Sequence, residues 1–378
     1  MGPMLFLAPA LFHSVVRGGR LIFGLALLVA TGCVQLPDDP PLTEEVIEVD
    51  PLEGVDNWSF LRDQINGVEP EPPELPPVSP ETENEATETL SNASIKKNQY
   101  FNTQLALARR GISAGALDGV LGPRTVQAIR TFQRKMGLEP LGYLDEATKK
   151  ALGEPEDPYT EYTVTASDVG SLTPVSDSWV KRSESRALNH ESILELVAER
   201  GKSYQNLIKR LNPEVNWTRV GSGTKIRIPN VPYPPAERKA ARVVIDLSDR
   251  TLQAFDESGA LMVHFPCSIG ASATQSPAGD LSIKNIALRP NYTFDPAVFP
   301  ENAEARTLTR KYIIPPGPNN PVGMAWIGLS KPGFGMHGTP VPEFIGQTQS
   351  HGCIRLANWD AEYLAKLVRV GIPVTIQP

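Results

Sequence analysis

The sequence is poor in residues that carry covalent or metal chemistry, with three cysteines and five histidines among 378 residues. So few cysteines exclude a disulfide scaffold in a chain of this length. Aromatic residues make up 7% of the chain and the formal net charge is −7, so nothing indicates a nucleic-acid partner. The apolar run from Leu21 to Ala30 is too short to span a bilayer comfortably. The length predicts two or more domains.

The N-terminal residues 1–33 have the pattern of an export signal. Arg17 and Arg20 precede the apolar run, which ends in Val-Ala-Thr-Gly-Cys at 29–33. Small residues directly before Cys33 resemble the lipobox of bacterial lipoproteins. The resemblance implies cleavage before Cys33, acylation of its thiol and new amine, and a membrane anchor, with the outer membrane the expected address. An ordinary secretory signal and an N-terminal membrane anchor are the alternatives, and all three place the rest of the chain outside the cytoplasm.

Residues 34–95 are predicted to be a disordered acidic linker. Between Val34 and Ala93 there are sixteen acidic residues and one basic residue, Arg62, and ten prolines interrupt the segment. Such a composition buries too little apolar surface to fold and repels itself into an extended chain. A lipid-anchored enzyme needs a spacer of this kind to reach a cell wall some distance from the membrane.

Residues 96–153 predict three short helices. Apolar residues recur at helical spacing, Gly111 ends the first helix, and Pro123 suits the first turn of the second. The motif Asp-Gly-x-x-Gly-Pro-x-Thr at 118–125 and the following Phe132-Gln133 resemble the small peptidoglycan-binding domain found beside wall enzymes. A helical bundle that serves only as a spacer is the alternative.

Residues 160–230 predict the order strand, helix, helix, strand. Leu-Asn-Pro at 211–213 and Gly-Thr-Lys-Ile-Arg-Ile-Pro at 223–229 resemble LysM, a module that binds glycans containing N-acetylglucosamine. About twenty residues, 170–189, separate the first strand from the first helix, where LysM has a very short turn. This insertion falls near the groove in which the family holds sugar, so glycan binding stays open.

The densest group of reactive residues lies between Gly335 and Asn358, where His337, His351 and Cys353 fall in one short window. A cysteine reacts as its thiolate, and an imidazole within hydrogen-bond reach is the usual means of removing its proton. Spacing alone permits either histidine as the base. A zinc site is disfavoured because the His-Gly-Cys spacing is too tight for both side chains to meet one metal ion easily.

The His-Gly-Thr at 337–339 and the Ser-His-Gly-Cys-Ile-Arg-Leu-x-Asn at 350–358 resemble the active-site signature of the L,D-transpeptidases, the YkuD-type enzymes of bacterial cell walls. The resemblance implies that Cys353 is the nucleophile and that His337, oriented by the carbonyl of Gly338, accepts and returns its proton. We expect the two to form an ion pair at neutral pH. The remaining predicted site residues are His351 and Gly352 in the oxyanion region, and Arg355, Ser350 and Thr339 at the substrate. For Arg355 a strand-end salt bridge is an equal alternative, and Ser350 is more suited to fixing the local turn.

Residues 240–378 are predicted to be the mostly-β catalytic domain, which makes the whole chain a multidomain α+β protein. The stretch from Arg289 to Pro321 would lie over the cleft as a lid, with Tyr292, Phe294 and Phe299 lining a substrate channel or packing in the core. Cys267 is rejected as a nucleophile because it sits in an apolar strand.

The predicted reaction is acyl transfer between peptidoglycan stem peptides without a cofactor, giving 3→3 cross-links or attachment of a protein to the wall. L,D-carboxypeptidase activity at the same site is one alternative. A non-catalytic lipoprotein that anchors the envelope to peptidoglycan is the other.

Overall fold

The computed structural model describes residues 98–270, 278–299, 302–347 and 352–378. The predicted signal, the lipidation site Cys33 and the acidic linker lie outside the described residues. Among the helices of these four ranges, none has the length and apolar character needed to cross a membrane.

The first module is a bundle of three helices, α1 (Gln99–Ala108), α2 (Pro123–Lys135) and α3 (Glu146–Leu152). Local signals set their starts: the side chains of Asn98 and Asp145 cap α1 and α3, and Pro123 opens α2. The helices bury one apolar core, whose members include Leu107, Ile112, Ile129, Phe132 and Leu152. The predicted three helices are therefore present.

The second module joins two antiparallel strands, β1 (Tyr159–Thr163) and β2 (Lys225–Pro229), which pair from Tyr159 with Pro229 to Thr163 with Lys225. Between them lie α4 (Ala166–Ser171), α5 (Trp179–Glu184), α6 (Ile193–Arg200) and α7 (Gln205–Leu211). The last two helices pack on β2 and are the pair that the sequence predicted. Helix α5 lies within the predicted insertion of residues 170–189, whereas α4 begins before it, at a capping box between Thr165 and Asp168.

The third module is built on an eight-stranded sheet of order β11-β10-β9-β6-β12-β3-β4-β5. Its strands are β3 (Arg242–Asp246), β4 (Thr251–Phe255), β5 (Leu261–Pro266), β6 (Gly279–Leu288), β9 (Ala325–Leu329), β10 (Gly335–His337), β11 (Ile354–Arg355) and β12 (Pro373–Gln377). Helix α8 (Asn358–Leu367) packs against β6, β9 and β10 over the central core. A separate two-stranded sheet joins β7 (Tyr292–Phe294) to β8 (Tyr312–Ile314) within the predicted lid.

All described residues belong to one compact unit, and polar groups link the modules. Asp360 of α8 accepts hydrogen bonds from the hydroxyl of Ser113 in the helical bundle, at 3.3 Å, and from that of Tyr233. Burial raises the pKa of Asp360 to about 7. His264 of β5 lies at the same boundary, where its Nδ1 is 3.3 Å from the hydroxyl of Thr131 and 3.2 Å from the amide of Gln253.

We expect His264 to make the fold sensitive to acid. Burial, helped by nearby Arg134, lowers the pKa of His264 to about 4, whereas an unfolded histidine titrates near ~6.5. Between these two pKa values the unfolded chain binds a proton at His264 and the folded chain does not. The corresponding part of the unfolding free energy is fully present above pH ~6.5 and is lost as the pH falls towards ~4. The His264→Gln variant should lose roughly 3 kcal/mol of this pH dependence.

Urea unfolding of the wild type and the variant at about pH 7 and about pH 4.5 measures this loss. The remaining titrating groups are common to both proteins, so the difference between the two curves isolates His264. An equal difference in unfolding free energy at both pH values would contradict the prediction.

Candidate active site

The pairing of three short strands brings the predicted nucleophile and base to one face of the sheet. His337 is paired with Trp326 on β9 and with Arg355 on β11. Cys353 comes two positions before Arg355, so strand alternation sends its side chain to the same face. The intervening Met336 and Ile354 point into the opposite core. Cys353 and His337 are thus diagonal neighbours on one face of the parallel pair β10 and β11.

Cys353 is a buried thiol that forms no disulfide within the described residues, and backbone polar groups lie next to its sulfur. The N–H of Gly335 donates to its Sγ at 3.2 Å, and the carbonyl oxygen of Gly333 lies 3.8 Å from the same atom. A donor directed at sulfur stabilises the thiolate relative to the thiol. The absence of a side chain at Gly335 is required, because a Cβ there would come within 2.6 Å of the Trp326 ring.

His337 is held in a defined orientation and tautomer. Its Nδ1 lies 2.7 Å from the carbonyl oxygen of Gly338, which only accepts, so Nδ1 carries the proton and Nε2 is left with its lone pair. The ring stacks on Trp326 with 5.7 Å between centroids. This contact is the one that the orienting role of Gly338 predicts, and the role itself stays a prediction.

The charge state of His337 differs from the sequence expectation. Burial, followed by the nearby Arg355 guanidinium, lowers the pKa of His337 to about 3, against a weaker opposing effect of the Gly338 carbonyl. The imidazole is therefore neutral at neutral pH. The ion pair expected from the sequence is not favoured at rest, because that expectation ignored the cost of burying an imidazolium.

The remaining predicted site residues fall into two groups. Thr339 is buried, and its hydroxyl accepts from the N–H of Val341 at 3.4 Å. Arg355 is buried, and its backbone exchanges two hydrogen bonds with Ser268. Gly352 is buried beside Cys353. Ser350 and His351 lie outside the described residues.

Burial bears on two further questions from the sequence, namely whether Cys267 could react and whether the aromatic residues of the predicted lid line a channel. Cys267 is fully buried in the central core, where burial raises the pKa of its thiol well above its usual range. Tyr292, Phe294 and Phe299 are each no more than 1% exposed, so all three are core residues in this structure. Within the described ranges, no group of three His, Cys, Asp or Glu side chains is arranged to hold a metal ion.

Sequence reasoning missed the residues that pack against Gly338, the residue that follows His337. The amide of Asn358 accepts from the N–H of Met324 at 3.2 Å and donates to the carboxylate of Glu199, in the second module, at 3.2 Å. Gly323 and Gly338 pack directly on this amide. The sequence did contain a signal for this residue, because Asn358 is the last residue of the active-site signature at 350–358.

The segment that leads into the signature loop is also held by the other two modules. Arg124 of the helical bundle donates to the carbonyl of Ile345 at 2.7 Å and to the hydroxyl of Tyr204 at 3.0 Å. That hydroxyl in turn donates to the carbonyl of Glu343 at 2.8 Å. Contacts between residues 80 or more positions apart leave no local pattern in a sequence.

We expect Gly323→Ala to impair the site and the fold together. Gly323 has φ 63°, and an added Cβ would collide with the Asn358 amide and lie 2.6 Å from the carbonyl carbon of Gly338. The collision and the backbone strain should cost about 3 kcal/mol and should displace His337. Thermal unfolding and the rate of Cys353 acylation measure the two effects.

Gly259→Ala is the matched control, because Gly259 also has positive φ, 82°, but open space around it. It should show only the backbone cost, about 1 kcal/mol. Equal effects of the two substitutions would show that the packing of Gly323 on Gly338 is unimportant.

Comparison with known protein families identifies two of the three modules. The model of the L,D-transpeptidase catalytic domain matches residues 240–376, and that of a putative peptidoglycan-binding domain matches residues 98–152. The putative L,D-transpeptidase YkuD of Bacillus licheniformis is 30% identical over 185 residues, which are 49% of this chain and 93% of the relative. The probable L,D-transpeptidase ErfK/SrfK of Escherichia coli is 28% identical over 190 residues, or 50% of this chain and 60% of the relative.

Among solved structures, L,D-transpeptidase 3 from Mycobacterium tuberculosis is 17% identical with a TM-score of 0.30, over 42% of this chain and 77% of that one. The family model covers the segment that carries Cys353 and His337. The expectation from the signature is confirmed at the level of the family, and the chain belongs to the L,D-transpeptidase (YkuD) family.

Proposed function

We propose that this chain is a peptidoglycan L,D-transpeptidase that works through a thioester on Cys353. The observation that supports it most directly is the common sheet face of Cys353 and His337, with the free Nε2 of His337 fixed by the bond from Nδ1 to Gly338. Nucleophile, base and orienting group are the three parts that acyl transfer needs.

In the first half-reaction, Nε2 of His337 takes the proton of Cys353 as the sulfur attacks the carbonyl carbon between the third and fourth residues of a stem tetrapeptide. A C–S bond forms, and the oxyanion is stabilised by backbone N–H groups around Gly352 and Cys353, with His351 nearby. The C–N bond then breaks. His337 returns the proton to the leaving amine, and D-alanine departs.

In the second half-reaction, a side-chain amine of a neighbouring stem attacks the thioester carbonyl. A C–N bond forms, the C–S bond breaks, and the amine's proton passes through His337 to the Cys353 sulfur. Arg355 is proposed to bind a substrate carboxylate through its guanidinium, and Thr339 and Ser350 to shape the loop against the substrate. Water as the acceptor makes the same site an L,D-carboxypeptidase.

The other modules are proposed to keep the enzyme at its polymer. The helical bundle at 96–153 would bind peptidoglycan and the 160–230 module, LysM-like in its paired β1 and β2 with α6 and α7 between them, would bind glycan. A peptidoglycan-acting enzyme belongs in the cell envelope. A lipid anchor at Cys33 followed by the 34–95 spacer is proposed to place it on the periplasmic side of the outer membrane.

The decisive experiment is the analysis of wall fragments. Muramidase digests of walls incubated with the intact protein and stem tetrapeptide should contain 3→3-linked dimers that digests made with Cys353→Ala lack. Tripeptides without dimers would point to the carboxypeptidase, and a peptide-linked envelope protein to protein attachment. If no product depends on Cys353, only the non-catalytic anchoring lipoprotein remains.

A further inference from the structure

The predicted insertion in the second module docks on the catalytic domain. We call residues 176–189 the strap; it contains helix α5. The carboxylate of Glu304, in the predicted lid, accepts from the hydroxyl of Ser178 at 2.7 Å and from the N–H of Trp179 at 2.8 Å. These bonds cap the helix from another domain, and α5 packs on strand β8.

An aromatic stack continues this contact within the buried cluster that also contains Cys353. The ring of Trp179 stacks on Phe294 with 4.1 Å between centroids and 6° between planes, and Phe294 stacks on Phe299 at 5.1 Å. Trp179 is 3% exposed and belongs to the same buried cluster as Trp326 and Cys353. The strap therefore contributes Trp179 to the buried apolar cluster that contains Cys353.

The far end of the strap is fixed to the lid as well. The N–H of Leu188 donates to the carbonyl of Pro316 at 2.9 Å, and the carbonyl of Leu188 accepts from the N–H of Asn319 at 3.0 Å. A Cβ at Gly317 would collide with the Leu188 carbonyl, so only glycine permits this approach.

The lid needs such support. Its only ladder among the described residues joins β7 and β8, which have three residues each. An isolated two-stranded ribbon is at best marginally stable in water, so packing must hold it in place. The rings of β7 that face inward, Tyr292 and Phe294, are those that Trp179 contacts.

We propose that Trp179 is a positioning residue that holds the lid in the arrangement through which a peptide donor reaches Cys353. The second module thereby completes the donor site of the third. The inference rests on the proposed role of Cys353. It concerns large donors, which must be bound and oriented under the lid, and not small electrophiles, which need only reach the sulfur.

The test compares two reagents and four proteins. Acylation of Cys353 by a carbapenem and alkylation by iodoacetamide are timed by intact-protein mass spectrometry for the wild type, Trp179→Ala, Trp179→Phe and Trp217→Ala. Trp217 is the control because it is a half-buried tryptophan of the same module that packs against a different core cluster from Trp179. Hydrogen exchange of Tyr292–Phe294 and Tyr312–Ile314 reports on the lid directly.

The expected result is that Trp179→Ala slows carbapenem acylation ~10-fold or more, leaves alkylation unchanged or faster, and speeds exchange in both lid strands. Trp179→Phe should recover most of the acylation rate, and Trp217→Ala should match the wild type. If Trp179→Ala does not fold, Glu304→Gln should show the same pattern more weakly through the lost helix cap.

Unchanged acylation in Trp179→Ala, with a wild type that acylates at Cys353, would overturn the inference and leave the proposed function standing. An equal slowing of both reagents would overturn it too, because it would mean general damage to the site. A wild type that never acylates would instead refute the proposed function.

Discussion

Replacing Cys353 by alanine is expected to abolish the covalent carbapenem adduct and all transfer products. The thiol is the only protein nucleophile that the proposed mechanism uses, and in that mechanism it alone holds the acyl group between the two half-reactions. Intact-protein mass spectrometry after incubation should show one added mass on the wild type and none on the variant. Peptide mapping should locate the added mass on the peptide that contains Cys353.

Cys267→Ala is the matched control for this experiment, because it removes the other buried cysteine of the catalytic domain. Its thiol is fully buried in the central core and its pKa is raised by that burial, so it should not react. The variant should acylate like the wild type, with a small loss of stability from the smaller side chain. An adduct that survives Cys353→Ala and disappears with Cys267→Ala would reverse the assignment.

Replacing His337 by glutamine is expected to slow acylation of Cys353 by ~100- to 10,000-fold at neutral pH. Glutamine can still donate to the Gly338 carbonyl but has no basic nitrogen to take the thiol proton. Because burial lowers the pKa of His337 to about 3, the wild-type base stays neutral through mildly acidic pH. The wild-type rate should therefore not fall through the usual histidine range because of His337. Stopped-flow acylation across pH measures both effects.

His264→Gln is the control for removal of a buried histidine, since His264 has a similarly lowered pKa but contacts Thr131 and Gln253 instead of the site. It should leave the acylation rate unchanged. His351→Gln addresses the base that spacing alone also allowed. If His351→Gln loses acylation and His337→Gln does not, the roles of the two histidines are exchanged.

Local patterns predicted most of the elements and the family. The Pro123 start of α2 and the two helices α6 and α7 follow from residues close in sequence. The signature brought Cys353 and His337 together because its spacing belongs to two strands that pair in register. Each of these features is determined by neighbours along the chain or by a contiguous motif.

The parts that could not be predicted depend on distant contacts. The stacking of Trp179 on Phe294 joins positions more than 100 residues apart. The hydrogen bond from Arg124 to the carbonyl of Ile345 joins positions more than 200 residues apart. The neutral state of His337 was missed for a related reason, since burial is a property of the assembled fold and not of a motif. Lipidation at Cys33 stays a prediction.

The place of β12 in the sheet determines when the catalytic domain can close during synthesis. This strand lies between β3 and β6, so the β3-β4-β5 meander and the β6-β9-β10-β11 half share no ladder without it. A chain under synthesis on the ribosome cannot close the sheet until residues 373–377 have emerged, and its formation is slowed further by the long loop between β3 and β12. We therefore expect the catalytic domain to gain its full stability only once this strand is paired on both sides.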